Sequence, residues 1–161
     1  MTPAIAPVTP EDAGELLSLQ RAAFVTEAQL YGDPWLPALV ETLAELRSAL
    51  GRGPALKAGD GGRIVGSVRA WVDDRVLHVG RLVVAPDQQG RGIGRALLAA
   101  VEQAAGPSVD RAALFTGHRS EGNLRLYTRA GYVEQRRQRV DDELTLVHLA
   151  KELPGAVTGR R

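Results

Sequence analysis

The sequence predicts a mixed α/β layer protein: one domain over residues 1–161, with a central sheet of about seven strands flanked by about four helices. Three observations predict it. Strand-like runs at Pro54–Gly59, Arg63–Val72 and Arg75–Val84 are joined by Asp60-Gly61-Gly62 and Asp73-Asp74, which is hairpin chemistry and sets up antiparallel pairs. The third run then passes through a loop and a long helix to another strand, Arg111–Thr116, a crossover that requires at least one parallel pair. Length agrees: 161 residues, 44% apolar and 24% charged, suffice for one real core.

Each element has its own local reason. Ala4–Val8 (AIAPV) reads as a short first strand. Thr9 then caps a helix, with Pro10 at its first position and Asp12 at its third. Leu16, Leu17, Leu19, Ala23 and Phe24 follow at helical spacing until Tyr31–Trp35 (YGDPW) breaks the pattern. A second helix is expected over Pro37–Leu50, with Leu39, Val40, Leu43, Leu46 and Leu50 on one face and Gly51 ending it. After the hairpins, VVAPDQQGRGIGRALLAAVEQAA (Val83–Ala105) supplies a glycine-rich loop and a helix ending near Gly106-Pro107. Ser120–Gly131 reads as a short helix with Ser120 as its cap. YVEQRRQRV and ELTLVHLAKEL make two last strands around Asp141-Asp142. The order is β-α-α-β-β-β-α-β-α-β-β, and 154–161 reads as a flexible tail.

Composition excludes several classes. A net charge of +1 gives no reason to expect nucleic acid or an acidic membrane as partner. The absence of cysteine excludes disulfides, thiolate metal sites and a cysteine nucleophile, and no metal site is expected. The start, MTPAIAPVTPED, lacks the basic and apolar regions of a signal peptide, and no apolar run is long enough to span a bilayer. A cytoplasmic location is the expectation.

The chemistry concentrates in the loop. Gly90, Gly92 and Gly94 sit two apart where a strand hands over to a helix. A helix start has free N–H groups and a positive dipole end, and glycines let an anion reach the backbone. Arg91 and Arg95 add positive charge. These features suit a phosphate-bearing ligand; a tight turn without ligand would use the same glycines. The dinucleotide fingerprint G-x-G-x-x-G fails from Gly90, whose sixth position is Arg95, and from Gly92, whose sixth is Leu97. The G-K-S/T of a nucleotide P-loop is absent.

Gln89-Gly90-Arg91-Gly92-Ile93-Gly94 does fit Q/R-x-x-G-x-G/A, and in the setting RLVVAPDQQGRGIGRALL it resembles the acyl-CoA-binding signature of the GNAT superfamily of N-acetyltransferases. GNLRLYTRAGY (Gly122–Tyr132) is similar to a later segment of that family, RIVGSVRAWV to the strand before its CoA-binding strand, and the element order agrees from Ala4 to Leu153. The resemblance implies acetyl-CoA as cosubstrate and direct transfer of its acetyl group to an amine in a ternary complex. It implies that the fourth and fifth strands splay apart, with Leu82, Val83 and Val84 offering backbone groups to the pantetheine arm. Backbone amides from Gln89 or Gly90 through Arg91, Gly92, Ile93, Gly94 and Arg95 would cradle the pyrophosphate, and Asn123 would bond the pantetheine arm. Tyr127 would lie near the sulfur as general acid, since a phenol with a pKa of about 10 is protonated at neutral pH.

The pattern stops at the base and the acceptor. Many members carry a carboxylate on or near the CoA-binding strand; Arg75–Val84 has no Asp or Glu. His78 and His118 are the candidate bases on residue type, against the plainer roles of a packed sheet histidine and a solvated loop histidine. A water relay would need neither. Glu27, Tyr31 and Trp71, with Arg69, are expected to line the acceptor site; Glu27 or Asp33 would hold an ammonium, and Trp71 or Trp35 an apolar group. A small amine, an amino acid, an antibiotic and a protein N-terminus stay open as acceptors. A longer acyl donor and a non-catalytic acyl-CoA-binding domain stand as alternatives. Homodimers are common in the family, and the strand bearing Arg136-Arg137-Gln138-Arg139 is a candidate pairing edge.

Overall fold

The computed structural model describes residues 3–154; positions 155–161 of the expected tail lie outside the described residues. In chain order it contains β1 (Ala4–Pro7), a 3-10 turn (Pro10–Asp12) running into α1 (Ala13–Tyr31), α2 (Pro37–Val40), α3 (Leu43–Ala49), β2 (Ala55–Asp60), β3 (Arg63–Asp73), β4 (Val76–Val84), α4 (Ile93–Ala104), β5 (Arg111–Gly117), α5 (Glu121–Arg129), β6 (Val133–Arg139) and β7 (Thr145–Glu152). The strands form one mixed sheet in the order β1-β2-β3-β4-β5-β7-β6. All pairs are antiparallel except β4–β5, the parallel pair that the crossover demands. The arginine-bearing β6 is an edge strand with every residue exposed.

The expected second helix is instead two. Glu41 is extended (ψ 131°) between α2 and α3. Thr42 then restarts the helix: its Oγ1 accepts the Glu45 N–H at 3.2 Å, while Glu45 accepts the Thr42 N–H at 2.9 Å. The break turns the Glu41 carboxylate inward to Arg69. The described residues thus hold five α-helices rather than about four.

Helices cover both faces of the sheet. On one, Ile93, Leu97, Leu98 and Val101 of α4 pack on Val65, Leu77 and Ala112. On the other, Leu16 and Leu19 of α1 and Leu46 of α3 pack on Ile64 and Val83. Each such side chain contributes roughly 1.5–3 kcal/mol when fully buried. No helix of the described residues is long and apolar enough to cross a membrane.

Two irregularities distort the sheet at β4. β4 and β5 pair only over Val76–His78 with Arg111–Ala113 and then part. Opposite β3, Ser67 pairs with Val83 and Arg69 with Gly80, so Val68 faces both Arg81 and Leu82. This β-bulge bends β4 away from its neighbour. It holds Arg81 at φ 48°, a conformation that non-glycine residues rarely adopt.

Candidate functional site

Where β4 and β5 part, a cleft of about 700 Å³ opens, a size suited to a small-molecule site. Its walls are Leu82, Val83 and Val84 of β4, the glycine loop, the start of α5, and α1 at Glu27. The loop is tied down from behind. Arg63, at the start of β3, holds Asp87 through two hydrogen bonds of 2.9 and 2.7 Å, and these keep the Asp87 carboxyl far below its ordinary range.

The three glycines do two different jobs. Gly90 (φ 81°) and Gly92 (φ 80°) have backbone angles that side chains resist, and a Cβ on either would meet nothing within 4 Å. Gly94 is a packing residue: its Cβ would lie 3.4 Å from Leu126 and 3.6 Å from Val84, so it brings α4 close to α5 and β4. The first α4 bond runs from the Ala96 N–H to the Gly92 carbonyl at 3.0 Å. The N–H groups of Ile93, Gly94 and Arg95 therefore have no partner within the helix. Arg95, Arg125 and Arg129 line the same cleft. The Arg91 side chain turns elsewhere, to Asp60 at 3.2 Å and to Gln88.

Across the cleft a chain of hydrogen bonds ends at a carboxylate. The Arg119 N–H donates to the Tyr31 hydroxyl at 3.0 Å, Tyr31 lies 2.8 Å from Ser120 Oγ, and Ser120 donates to Glu27 Oε2 at 2.5 Å. A carboxylate only accepts, so each hydroxyl donates in one direction, Tyr31 to Ser120 and Ser120 to Glu27. Tyr31 and Ser120 are each 4% exposed. Glycine at position 117 makes this possible, because a Cβ there would lie 2.0 Å from the Tyr31 hydroxyl oxygen. Gly117→Ala should force the phenol out and cost about 1–3 kcal/mol. Urea unfolding checks this, as a lower midpoint with an unchanged slope.

The remaining predicted residues fall at varied distances from the cleft. Asn123 lines it and donates to Thr116 Oγ1 at 3.2 Å. Tyr127 does not line the cleft: it is 7% exposed and packs edge-on against Tyr132, with ring centroids 6.2 Å apart. Its hydroxyl has no hydrogen-bond partner among the described residues; burial, with the charge of Glu27 adding to it, pushes its pKa well above the ordinary value. His78 stacks on Trp71 at 5.3 Å, at the closed end of the β4–β5 pair, and neither lines the cleft. His118 accepts the Thr145 N–H through Nδ1 at 3.0 Å, which fixes it to β7. Tyr31 stands behind Glu27 rather than in the cleft. Arg69 is engaged by Glu41, Asp33 accepts the Trp35 N–H at 2.8 Å, and Trp35 is 76% exposed.

Ser120 does occupy the N-cap position of α5, but its hydroxyl makes no cap bond and goes to Glu27 instead; that role, and the placing of Arg125 and Arg129 in the cleft, were not foreseen from the sequence. The four-residue spacings Glu27/Tyr31 and Arg125/Arg129 were the available signals, since each puts two side chains on one helix face.

A family model described as an acetyltransferase (GNAT) domain matches residues 35–153. The UPF0157 protein YqkA of Bacillus subtilis (strain 168) is 29% identical over 120 residues, which is 74% of this chain and 34% of that protein. The chain thus spans about a third of the length of that curated relative. A GCN5-related N-acetyltransferase from Rhodopseudomonas palustris superposes with a TM-score of 0.78 at 25% identity, covering 95% of this chain and 97% of that one. The PaiA N-acetyltransferase from Thermoplasma acidophilum, solved in complex with coenzyme A, superposes with a TM-score of 0.73 at 15% identity, covering 95% and 100%.

Proposed function

The chain belongs to the GNAT family of acetyltransferases, and from that membership we propose that it transfers an acetyl group from acetyl-CoA to a primary amine by direct attack in a ternary complex. The parting of β4 from β5, which opens a cleft between the glycine loop and Glu27, carries this reading.

The cleft fits the donor at three points. Leu82, Val83 and Val84 lie past the last β4–β5 pair, so their β5-facing backbone groups are available to an amide-bearing arm. The loop leaves open space at Gly90 and Gly92, next to three helix N–H groups without helical partners. Arg95, Arg125 and Arg129 supply positive charge for phosphates. In this reading the amides of Gln89 to Arg95 hold the pyrophosphate, with Arg91 contributing its backbone, and Asn123 bonds the pantetheine arm. The donor, when bound, supplies a thioester carbonyl open to attack. Tyr127 gives its proton to the departing sulfur. The amine approaches from the α1 side, where Glu27 meets its positive charge.

Two measurements test this. Acetyl-CoA at about 100 times its Kd should stabilise the protein by roughly 2.7 kcal/mol, a rise in Tm of about 5–10 °C for a chain of this size. Gly92→Glu should remove that rise, because a carboxylate would stand at the pyrophosphate position on a backbone that already resists a side chain. No shift in the wild type would refute acyl-CoA binding; an undiminished shift in Gly92→Glu would refute the pyrophosphate assignment. A panel of amines, followed by free-thiol release, then separates enzyme from binder: a thermal shift without amine-dependent release would leave the non-catalytic alternative.

A further inference from the structure

We propose that Glu27 is the general base of the transfer, aimed by Ser120 and Tyr31, a role that rests on the acetyltransferase reading.

An amine reaches the site mostly as its ammonium, with a pKa of about 8–10, and cannot attack until it loses a proton. Something in the cleft must take that proton. β4 carries no carboxylate, and neither histidine candidate lines the cleft. Two acids do, Glu27 and Glu121. Glu121 is exposed in the first turn of α5, whereas Glu27 is half-buried.

The surroundings of Glu27 suit a base. Oε2 is held by Ser120, itself held by Tyr31, whose hydroxyl accepts the Arg119 N–H. Oε1 accepts no hydrogen bond from any described residue. The titratable and charged groups nearest it are Tyr31 on its own helix, Tyr127 on α5, and Arg119 and Glu121 in the same cleft wall; His118 lies against the Tyr31 ring, 6.0 Å between centroids. Its charge reaches the buried Tyr127 hydroxyl, which stands beside the lining residues Asn123 and Leu126 of α5.

The protons balance. Glu27 takes one proton from the ammonium and releases it to water. The freed nitrogen lone pair forms the C–N bond at the thioester carbonyl, and the nitrogen then gives its next proton to Glu27. As the carbonyl re-forms, the C–S bond breaks, its electron pair goes to sulfur, and Tyr127 protonates the sulfur. The Tyr127 phenolate regains a proton from Glu27. The sum is amide, coenzyme A thiol and one proton to solvent. Ser120 and Tyr31 are positioning residues; they keep the carboxylate from turning away.

Glu27→Gln is the test, read on an amine that the wild type accepts. At pH 7, amine-dependent thiol release should fall about 10²–10⁴-fold. The loss should shrink as pH rises toward the pKa of the amine, because more acceptor then arrives already deprotonated. The thermal shift with acetyl-CoA should stay at its wild-type size, which separates a lost base from a lost fold. Glu27→Asp, which keeps a carboxylate, should fall between the two and follow the wild-type pH profile. Ser120→Ala should lower kcat with the acetyl-CoA KM unchanged, and an unchanged kcat would remove the relay. Wild-type turnover in Glu27→Gln, or a loss equal at every pH, would overturn the proposal. A wild type that binds acetyl-CoA yet releases no thiol with any amine would instead overturn the acetyltransferase reading beneath it.

Discussion

Glu41→Ala should destabilise the protein by about 3–5 kcal/mol, the usual consequence of leaving buried charge without its partner. Total stability of a domain is only about 5–15 kcal/mol, so the loss would be severe. Glu41 sits between two guanidiniums. Arg69 Nη2 bonds both its oxygens, at 2.8 and 2.6 Å, and Arg81 Nε lies 3.7 Å from one of them. Gln20 donates to the same carboxylate at 2.9 Å. The side chains of Glu41 and Arg69 are only 11% and 15% exposed, so the pair is poorly screened. Arg81 Nε already lacks a hydrogen bond, and without Glu41 both cations would be stranded. Urea unfolding at pH 7 measures this, and a change under about 0.5 kcal/mol, the scatter of ordinary surface substitutions, would refute it. Replacing all three charged residues by apolar ones of similar volume should recover part of the loss, since the penalty lies in the orphaned cations.

The same cluster makes a prediction about acid. Burial raises the Glu41 pKa, but the bonds from Arg69 and Gln20 and the charges of Arg69 and Arg81 outweigh it, and the folded pKa falls below the ordinary 4.5. A depressed carboxyl pKa contributes stability that is fully present above the unfolded value and lost as pH drops through the folded one. Wild-type stability should therefore fall more steeply than that of Glu41→Ala on acidification below about pH 4.5. The cluster also bears on function. Arg81 occupies the bulge where β4 bends from β5, at φ 48°, and its partner Glu41 helps hold it there. Without Glu41, β4 is free to relax toward β5, so the thermal shift with acetyl-CoA should shrink as well.

What was legible in the sequence was what is encoded locally. Alternating strands and the turns Asp60-Gly61, Asp73-Asp74 and Asp141-Asp142 mark the hairpins, and all seven strands are found where expected. The loop was legible because glycine writes its own backbone preference: Gly90 and Gly92 do stand at positive φ. Gly94 shares their spacing but not their reason, since it is small for the sake of Leu126 and Val84. The break at Glu41 was obscured by an apolar pattern, Leu39 to Leu50, that runs straight across it, although Thr42 and Glu45 carried the capping signal. The bulge at Arg81 has no local signature, because an arginine at positive φ is imposed by the cluster around it. The Glu27–Ser120 bond joins residues 93 positions apart, which no spacing rule reaches. His78 and Trp71 show the remaining gap: alternation says which face of a strand a residue occupies, not how far it lies from the point where two strands part.

Tyr127→Phe should lower turnover by about 100-fold while leaving acetyl-CoA binding and the fold nearly unchanged. Burial and the nearby charge of Glu27 keep the phenol protonated throughout the working pH range, which a proton donor requires. The loss should sit at the low end of general-acid effects, because the leaving group is already good. A thiol with a pKa of about 8.5 can depart as its thiolate without help. It follows that the defect should shrink above roughly pH 8.5, where a thiolate needs no donor. The substitution is also clean. The Tyr127 hydroxyl bonds no described residue, so its removal orphans no partner, and a phenylalanine ring keeps the edge contact with Tyr132. Tm should therefore match the wild type within about 2 °C, equivalent to a change of roughly 0.5 kcal/mol. A variant with wild-type kcat would remove Tyr127 as the acid, and sulfur protonation would fall to water in the cleft. A variant with lowered kcat and an equally lowered Tm would reduce the tyrosine to a core residue. Only a kcat defect at unchanged Tm, fading with rising pH, separates the chemistry of the hydroxyl from the packing of the ring.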